Sequence, residues 1–315
     1  MNKMLHHKTV MIQEVLEYIN LQNGDTFLDA TIGAGGHSKA ILDKYDAVNL
    51  IGIDKDINAV NIAKENLKDY KDSISLHNVD FSNISKIIQK NNLKNINAIL
   101  FDLGTSQIQL NDSKRGFSFQ HESPLDMRMD QKQKITADEI INHYKESEII
   151  KILSEFGEER YSKTIARLIV AKRPIKNTKD LSNLVLQVYK GRNNKKIHPA
   201  TKVFQAFRIA VNNELNMLEI ALSKSVDLLK KPGGRIVVIS FHSIEDRIVK
   251  QFFRKESSNC LCDSKVIICN CNHQAKIKII TKKIIKPSAA EVRKNPSSRS
   301  AKMRVAEIIK SRKAS

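Results

Sequence analysis

Apolar and polar positions along the chain alternate between two periods. From Thr9 to Leu21 the apolar residues Val10, Met11, Val15, Leu16 and Ile19 recur at helical spacing, and the run Thr26-Phe27-Leu28 that follows is extended in character. The exchange then repeats. A helix through Ser38 to Tyr45 precedes a strand from Asn49 to Ile53 that stops at Asp54. A helix from Asn58 to Leu67 precedes a strand from Ile74 to Val79, with Asp80 and Phe81 at its end, and a strand from Ala98 to Phe101 is closed by Asp102. Strands alternating with helices predict βαβ units and a parallel sheet. Each strand finishes on or beside an acid, at the end where open parallel sheets bind ligands.

After Asp102 the rhythm stops. From about Asn111 to Asn212 there is no comparable buried strand, only helical stretches such as Ile149 to Phe156, Ser162 to Arg173 and Lys179 to Tyr189. One long helical pattern from Val203 to Leu229, the turn Lys231-Pro-Gly-Gly234 and the strand Arg235 to Ser240 then resume the sheet. Apolar runs at Ile277 to Ile285 and Met303 to Ile309 predict two closing strands. The expected fold is α/β: a Rossmann-like, doubly wound, mostly parallel sheet from residues 1–112 and 213–315, interrupted by an all-helical insertion at 113–212.

The turn after the first strand, Asp29-Ala-Thr-Ile-Gly33-Ala-Gly35-Gly36, carries the first chemical signal. Glycines there let the backbone turn sharply and approach a nucleotide-like ligand. Dinucleotide turns of the G-x-G-x-x-G type place pyrophosphate overhead, which Asp29 would repel, and the third glycine is out of register. Asp-x-x-x-Gly-x-Gly instead resembles the turn that holds S-adenosylmethionine, whose ammonium and sulfonium are both cationic. The plain alternative is a strand-to-helix turn without a ligand. Asp54 lies 18 residues beyond Gly36, where a carboxylate can accept ribose hydroxyls; a solvated acid at a loop edge explains it equally well, and the same position serves NAD. Phe81 offers an apolar face to an adenine or simply packs in the core.

The end of the fourth strand bears on the reaction. Methylating C5 of a pyrimidine needs a Cys nucleophile, and no Cys precedes Cys260. Transfer to an exocyclic amine needs only alignment of the nitrogen and an acceptor that draws its lone pair out of conjugation. Amino methyltransferases usually carry Asp/Asn/Ser-Pro-Pro-aromatic at this point, whereas this chain has Asp102-Leu-Gly-Thr, so an aromatic clamp must come from elsewhere.

Charge widens the picture. The 53 Lys and Arg against 34 Asp and Glu give a net charge of +19, which suits a polyanionic partner. No apolar run reaches about 18 residues and no signal-like leader is present, so a cytoplasmic protein without a membrane partner is expected. Only 5% of residues are aromatic and Trp is absent, which argues against a binder built on stacking platforms.

Five segments carry a resemblance: Gly35-Gly-His-Ser38, Asp102-Leu-Gly-Thr-Ser106, Arg115-Gly-Phe-Ser-Phe119, Pro124 to Asp130, and Ser240-Phe-His-Ser-Ile-Glu-Asp-Arg247. In this order, and over about His7 to Arg304, they resemble the bacterial MraW/RsmH family of S-adenosylmethionine-dependent enzymes that make N4-methylcytidine in the decoding region of small-subunit (16S) ribosomal RNA. The resemblance implies S-adenosylmethionine as cofactor, with Gly33, Gly35, Gly36 and His37 at its methionine end, Asp54 at the ribose, Phe81 at the adenine, and Asp102 and Gln109 completing the site. It implies 16S ribosomal RNA, within the small subunit, as partner, and leaves room for a homodimer. For the catalytic role the chemistry nominates Asp102 or Ser106 as acceptor. For the substrate it nominates Phe117 or Phe119 as aromatic face, Arg115 and Arg128 for phosphate, and His242 and Glu245 to orient the base. Phe117 and Phe119 serve equally as hydrophobic anchors, and Glu245 and Asp246 as helix caps.

Other readings stay open: an amino methyltransferase of other nucleic acid, or a basic RNA-binding assembly factor with a remnant cofactor pocket. The basic segment Arg160, Lys163, Arg167, Lys172 and Arg173 is either an RNA contact or a solvated face. Cys260-x-Cys262 and Cys269-x-Cys271-x-His273 invite a zinc reading, but zinc knuckles usually use C-x2-C or wider spacing, so no metal is expected.

Overall fold

The computed structural model describes residues 9–90, 96–190, 198–229, 232–263, 266 and 268–309. They form two compact units: residues 1–104 with 215–315, and residues 105–214.

The first unit opens with helix α1 (Ile12–Tyr18) and contains β1 (Thr26–Asp29), α2 (Gly36–Lys44), β2 (Asn49–Asp54), α3 (Ile57–Asn66), β3 (Ile74–Asn78), α4 (Ile84–Lys90) and β4 (Ala98–Asp102). The second unit follows with α5 (Gln107–Asn111), α6 (Ala137–His143), α7 (Glu146–Glu155), α8 (Ser162–Ala171), α9 (Thr178–Tyr189) and α10 (Ala200–Asn212). The chain returns through α11 (Glu214–Leu228), β5 (Arg235–Ser240), α12 (Ser243–Glu256), β6 (Ile277–Ile279), α13 (Ala289–Lys294) and β7 (Lys302–Ile308). The seven strands run in the order β3-β2-β1-β4-β5-β7-β6; the first five are mutually parallel and β7 is antiparallel to both neighbours. This is the Rossmann-like, doubly wound α/β sheet that the alternation predicts.

Why the strands read as unbroken apolar runs is visible in where alternate residues go. Leu28, Ile51, Ile53, Ile99, Phe101, Ile236 and Val238 face one core, covered by α4, α11 and α12. Phe27, Leu50, Ala98, Leu100, Val237 and Ile239 face the other, covered by α1, α2 and α3. Both faces are therefore dry, and ligand chemistry is left to the strand ends.

Two expectations change. The pattern from Val203 to Leu229 is not one helix: Asn213 takes a left-handed conformation (φ 52°) that ends α10 before α11 begins. Asn tolerates this region better than most side chains, and apolar spacing does not register a one-residue break. The run from Ile277 to Ile285 gives only a three-residue strand, with one further bridge from Ile285 to Met303. Of the expected turn at 231–234, Lys231 lies outside the described residues. The second unit has its own core, including Ile149, Leu153, Ile165, Ile169, Leu181, Val185, Val203 and Phe207, all fully buried.

Candidate active site

In the first unit, the turn after β1 is assembled from backbone bonds to both neighbouring strands. Ala30 N–H donates to the Leu100 carbonyl and Ile32 N–H to that of Ile53, each at 2.9 Å. Gly35 sits at φ 81° and begins α2, with Leu67 so close that an added Cβ would stand 3.1 Å from its Cδ1. Gly36 is tighter still: a Cβ there would fall 1.8 Å from Thr9 Oγ1. Glycine is thus required by conformation at Gly35 and by packing at Gly36.

Asp29 is 1% exposed; Oδ1 accepts from Thr31 N–H at 3.2 Å and Oδ2 from the Ser38 hydroxyl at 2.7 Å. Both of its oxygens are therefore engaged within the turn and the start of α2. Asp54 holds the turn from β2: Oδ2 accepts from Gly33 N–H at 3.0 Å and Oδ1 from Asp56 N–H at 2.8 Å. Phe81 starts a short turn behind the Asp80 cap and meets Phe101 edge-on at 6.0 Å, partly buried against the core. Thr31 joins β1 to β4, because its hydroxyl oxygen accepts from Asp102 N–H at 2.6 Å. The sequence marks Thr31 and Ser38 only as small polar residues in an apolar turn, and their roles emerge once the turn is folded.

His37 is buried, with Nε2 2.8 Å from the Val10 carbonyl and Nδ1 3.7 Å from Asp102 Oδ2. Among the described residues Asp102 Oδ1 has no hydrogen-bond partner. Burial raises the carboxyls of Asp29 and Asp54 to about 6, the charges of Asp56 and Asp29 adding to the rise at Asp54. Burial raises Asp102 well above the usual carboxylate range, with Asp29 and Glu245 adding to it. Three acids whose ionisation burial disfavours thus stand at neighbouring strand ends.

His242 and Glu245, expected to orient a base, build the start of α12. Nδ1 of His242 accepts from Glu245 N–H at 3.3 Å, while Glu245 Oε2 accepts from the N–H groups of Phe241 and His242 at 2.8 and 3.2 Å. Both side chains are committed to a capping box, and Asp246 to a two-bond pair with Arg304 (2.7 and 3.2 Å).

In the second unit, Ser106 and Gln109 form another capping box. Ser106 Oγ accepts from Gln109 N–H at 3.2 Å, and Gln109 Oε1 accepts from Ser106 N–H at 3.1 Å. The two arginines differ from expectation. Arg115 is 5% exposed and donates to the carbonyls of Arg128 and Met129 at 2.8 and 3.1 Å. Arg128 forks onto Asp126 (2.9 and 2.7 Å) and donates to the carbonyls of Gln131 and Gln133. Both guanidiniums knit the loop together. Phe117 is buried in the helical core, the anchor alternative. Phe119 stays partly open, stacked on His198 at 4.5 Å and edge-on to Phe204 at 5.1 Å. Arg160, Lys163, Arg167 and Lys172 lie exposed along or beside α8, whereas Arg173 turns back to donate to the Ile141 and Tyr144 carbonyls at 2.8 and 2.5 Å.

The comparisons with known proteins agree with one another. The model of the MraW methylase family matches residues 4–309. A relative from Dehalococcoides mccartyi, called ribosomal RNA small subunit methyltransferase H, is 47% identical over 96% of this chain and 86% of its own. Proteins of the same name from Sulfurihydrogenibium (45% identical; 97% of this chain, all of the relative) and Carboxydothermus hydrogenoformans (44% identical; 96% and 98%) match over equivalent lengths.

Proposed function

The chain belongs to the MraW methylase family, and on that premise we propose that it methylates the exocyclic N4 of one cytidine in the decoding region of 16S ribosomal RNA, by direct in-line transfer from S-adenosylmethionine. The observation that carries the reading is the convergence of Asp29, Asp54 and Asp102, each resisting ionisation, around a glycine turn. A cationic ligand relieves that resistance and a pyrophosphate aggravates it. S-adenosylmethionine fits the donor set: Gly33, Gly35, Gly36 and His37 would hold its methionine end, Asp54 the ribose and Phe81 the adenine. When bound, it supplies a methyl group on a positively charged sulfur.

The remaining work belongs to side chains of the protein. Asp102 Oδ1, buried and without a partner among the described residues, accepts a hydrogen bond from the amine N–H. That bond draws the nitrogen lone pair out of the ring, and it needs no covalent intermediate. Ser106 is the weaker candidate, because its oxygen already caps α5. For the substrate, Phe119 supplies the partly open aromatic ring, and the exposed cations beside and along α8 supply phosphate contacts. The small ribosomal subunit as substrate implies a cytoplasmic enzyme; among the described residues no helix is long and apolar enough to cross a membrane.

The test is mass spectrometry of 16S ribosomal RNA from cells lacking the protein. Loss of N4-methylcytidine, restored by the wild-type gene but not by an Asp102→Ala copy, is expected. Unchanged N4-methylcytidine overturns the assignment, and failure of the pure protein to bind S-adenosylmethionine points to the assembly-factor reading.

A further inference from the structure

Between α12 and β6 the chain forms a small lobe that the proposed chemistry does not use. Four cysteines lie in it, Cys260, Cys262, Cys269 and Cys271, and their sulfur atoms all fall within 4.8 Å of one another. The separations are 3.4 Å (Cys260 to Cys269), 3.6 Å (Cys269 to Cys271), 3.8 Å (Cys271 to Cys260) and 3.9 Å (Cys262 to Cys269). Four sulfurs on a tetrahedron around zinc, each about 2.3 Å from the metal, stand about 3.8 Å apart.

We propose that Cys260, Cys262, Cys269 and Cys271 bind a single zinc ion as a tetrahedral tetrathiolate. The short C-x-C spacing argued against this from sequence, since two ligands one residue apart reach poorly around one turn. The fold answers that objection by bringing two C-x-C arms face to face, so that each arm supplies two corners. The group of ligand atoms within 4.8 Å of one another comprises the four cysteines, and His273 lies outside it with its Nε2 3.0 Å from the Lys255 carbonyl.

Alternatives for four thiols fit less well. Disulfides join sulfurs about 2.05 Å apart, in pairs rather than as a quartet. Iron–sulfur clusters distribute their cysteines over several metal atoms, so four sulfurs this close to one another describe a mononuclear centre. Soft thiolates in tetrahedral array favour zinc among the common divalent ions.

Two further features agree. Backbone N–H groups of Leu261 and Cys262 point at Cys271 and Cys260 Sγ, each at 3.3 Å, as the surroundings of metal thiolates usually do. Among the described residues of the lobe, Leu261, Val266 and Ile268 are exposed, Ile268 to 82%. A segment that buries so little needs a cross-link to hold one conformation, and metal ligation provides it.

The experiment measures metal in the full-length protein, purified under reducing conditions, by inductively coupled plasma mass spectrometry. About one zinc per chain is expected, falling to background in Cys262→Ser and in Cys271→Ser. Should those variants fail to fold, the wild-type protein still decides: after chelation, added zinc should protect all four thiols from iodoacetamide. A stoichiometric iron content would overturn the choice of zinc. A protein without metal, whose four thiols alkylate at the same rate with and without added zinc, would overturn the site.

Discussion

His37 presents its Nδ1 to Asp102 Oδ2 across 3.7 Å while its Nε2 is held 2.8 Å from the Val10 carbonyl. A carbonyl can only accept, so Nε2 carries a proton and donates it to Val10. Burial, with the charges of Asp29 and Glu245, disfavours ionising Asp102, and among the described residues its Oδ1 has no hydrogen-bond partner.

Replacing Asp102 by Asn keeps the shape and removes the buried charge. Melting temperature should hold or rise, while kcat should fall by about 100-fold or more, the usual worth of a positioned acceptor. A kcat within tenfold of wild type would remove Asp102 from the catalytic role.

The raised acids give opposite pH trends to stability and to binding. With folded values near 6 against 3.8 unfolded, Asp29 and Asp54 hold protons in the folded state that the unfolded state has released. Stability without cofactor therefore falls as pH rises from about 4 to about 6, by up to about 3 kcal/mol per group. Affinity for S-adenosylmethionine should move the other way. Calorimetric titrations at pH 5 and pH 7.5 should show binding at least tenfold weaker at pH 5, and equal affinities would mean that these carboxylates do not receive the cation.

Gly36→Ala should be costly for a reason outside the site. Its Cβ would meet Thr9 Oγ1 at 1.8 Å and Thr9 Cβ at 3.0 Å, so the segment before α1 must shift. A loss of about 1–3 kcal/mol in urea denaturation is expected. Adding Thr9→Gly should return most of it, and a double variant as unstable as the single one would place the strain elsewhere.

Salt dependence of RNA binding separates the two classes of cation. Lys163→Glu with Arg167→Glu should lower the slope of log affinity against log salt by about 2. Arg128→Met should leave that slope unchanged and lower stability instead, since its fork is spent on Asp126 and two carbonyls. The reverse pattern would return Arg128 to the phosphate.

Much of the sheet was legible because buried parallel strands must be apolar on both sides, as Ile99, Leu100 and Phe101 are. Asn213 was not, since a single left-handed residue leaves the apolar spacing around it intact. The acids at the strand ends could be located by counting, but their state could not. That Asp54 secures Gly33, and that burial shifts Asp102, follow from neighbours remote in sequence. The surroundings of Arg115 and Phe117 were not legible for a related reason: a guanidinium or a ring in a motif looks alike whether it faces solvent or closes a loop. The cysteines show how spacing along the chain hides proximity: two C-x-C arms nine residues apart come together only once the segment folds.

The order of the strands also governs how the protein can be made. β5 sits between β4, which precedes the whole helical unit, and β7, which comes after the cysteine lobe. A nascent chain that has completed β1 to β4 must hold the exposed edge of β4 open through the synthesis of the second unit. During that interval the unit with its own core can fold, but the sheet cannot close. Slowing translation across residues 105–214 should therefore prolong chaperone dependence, because the edge of β4 stays open for longer.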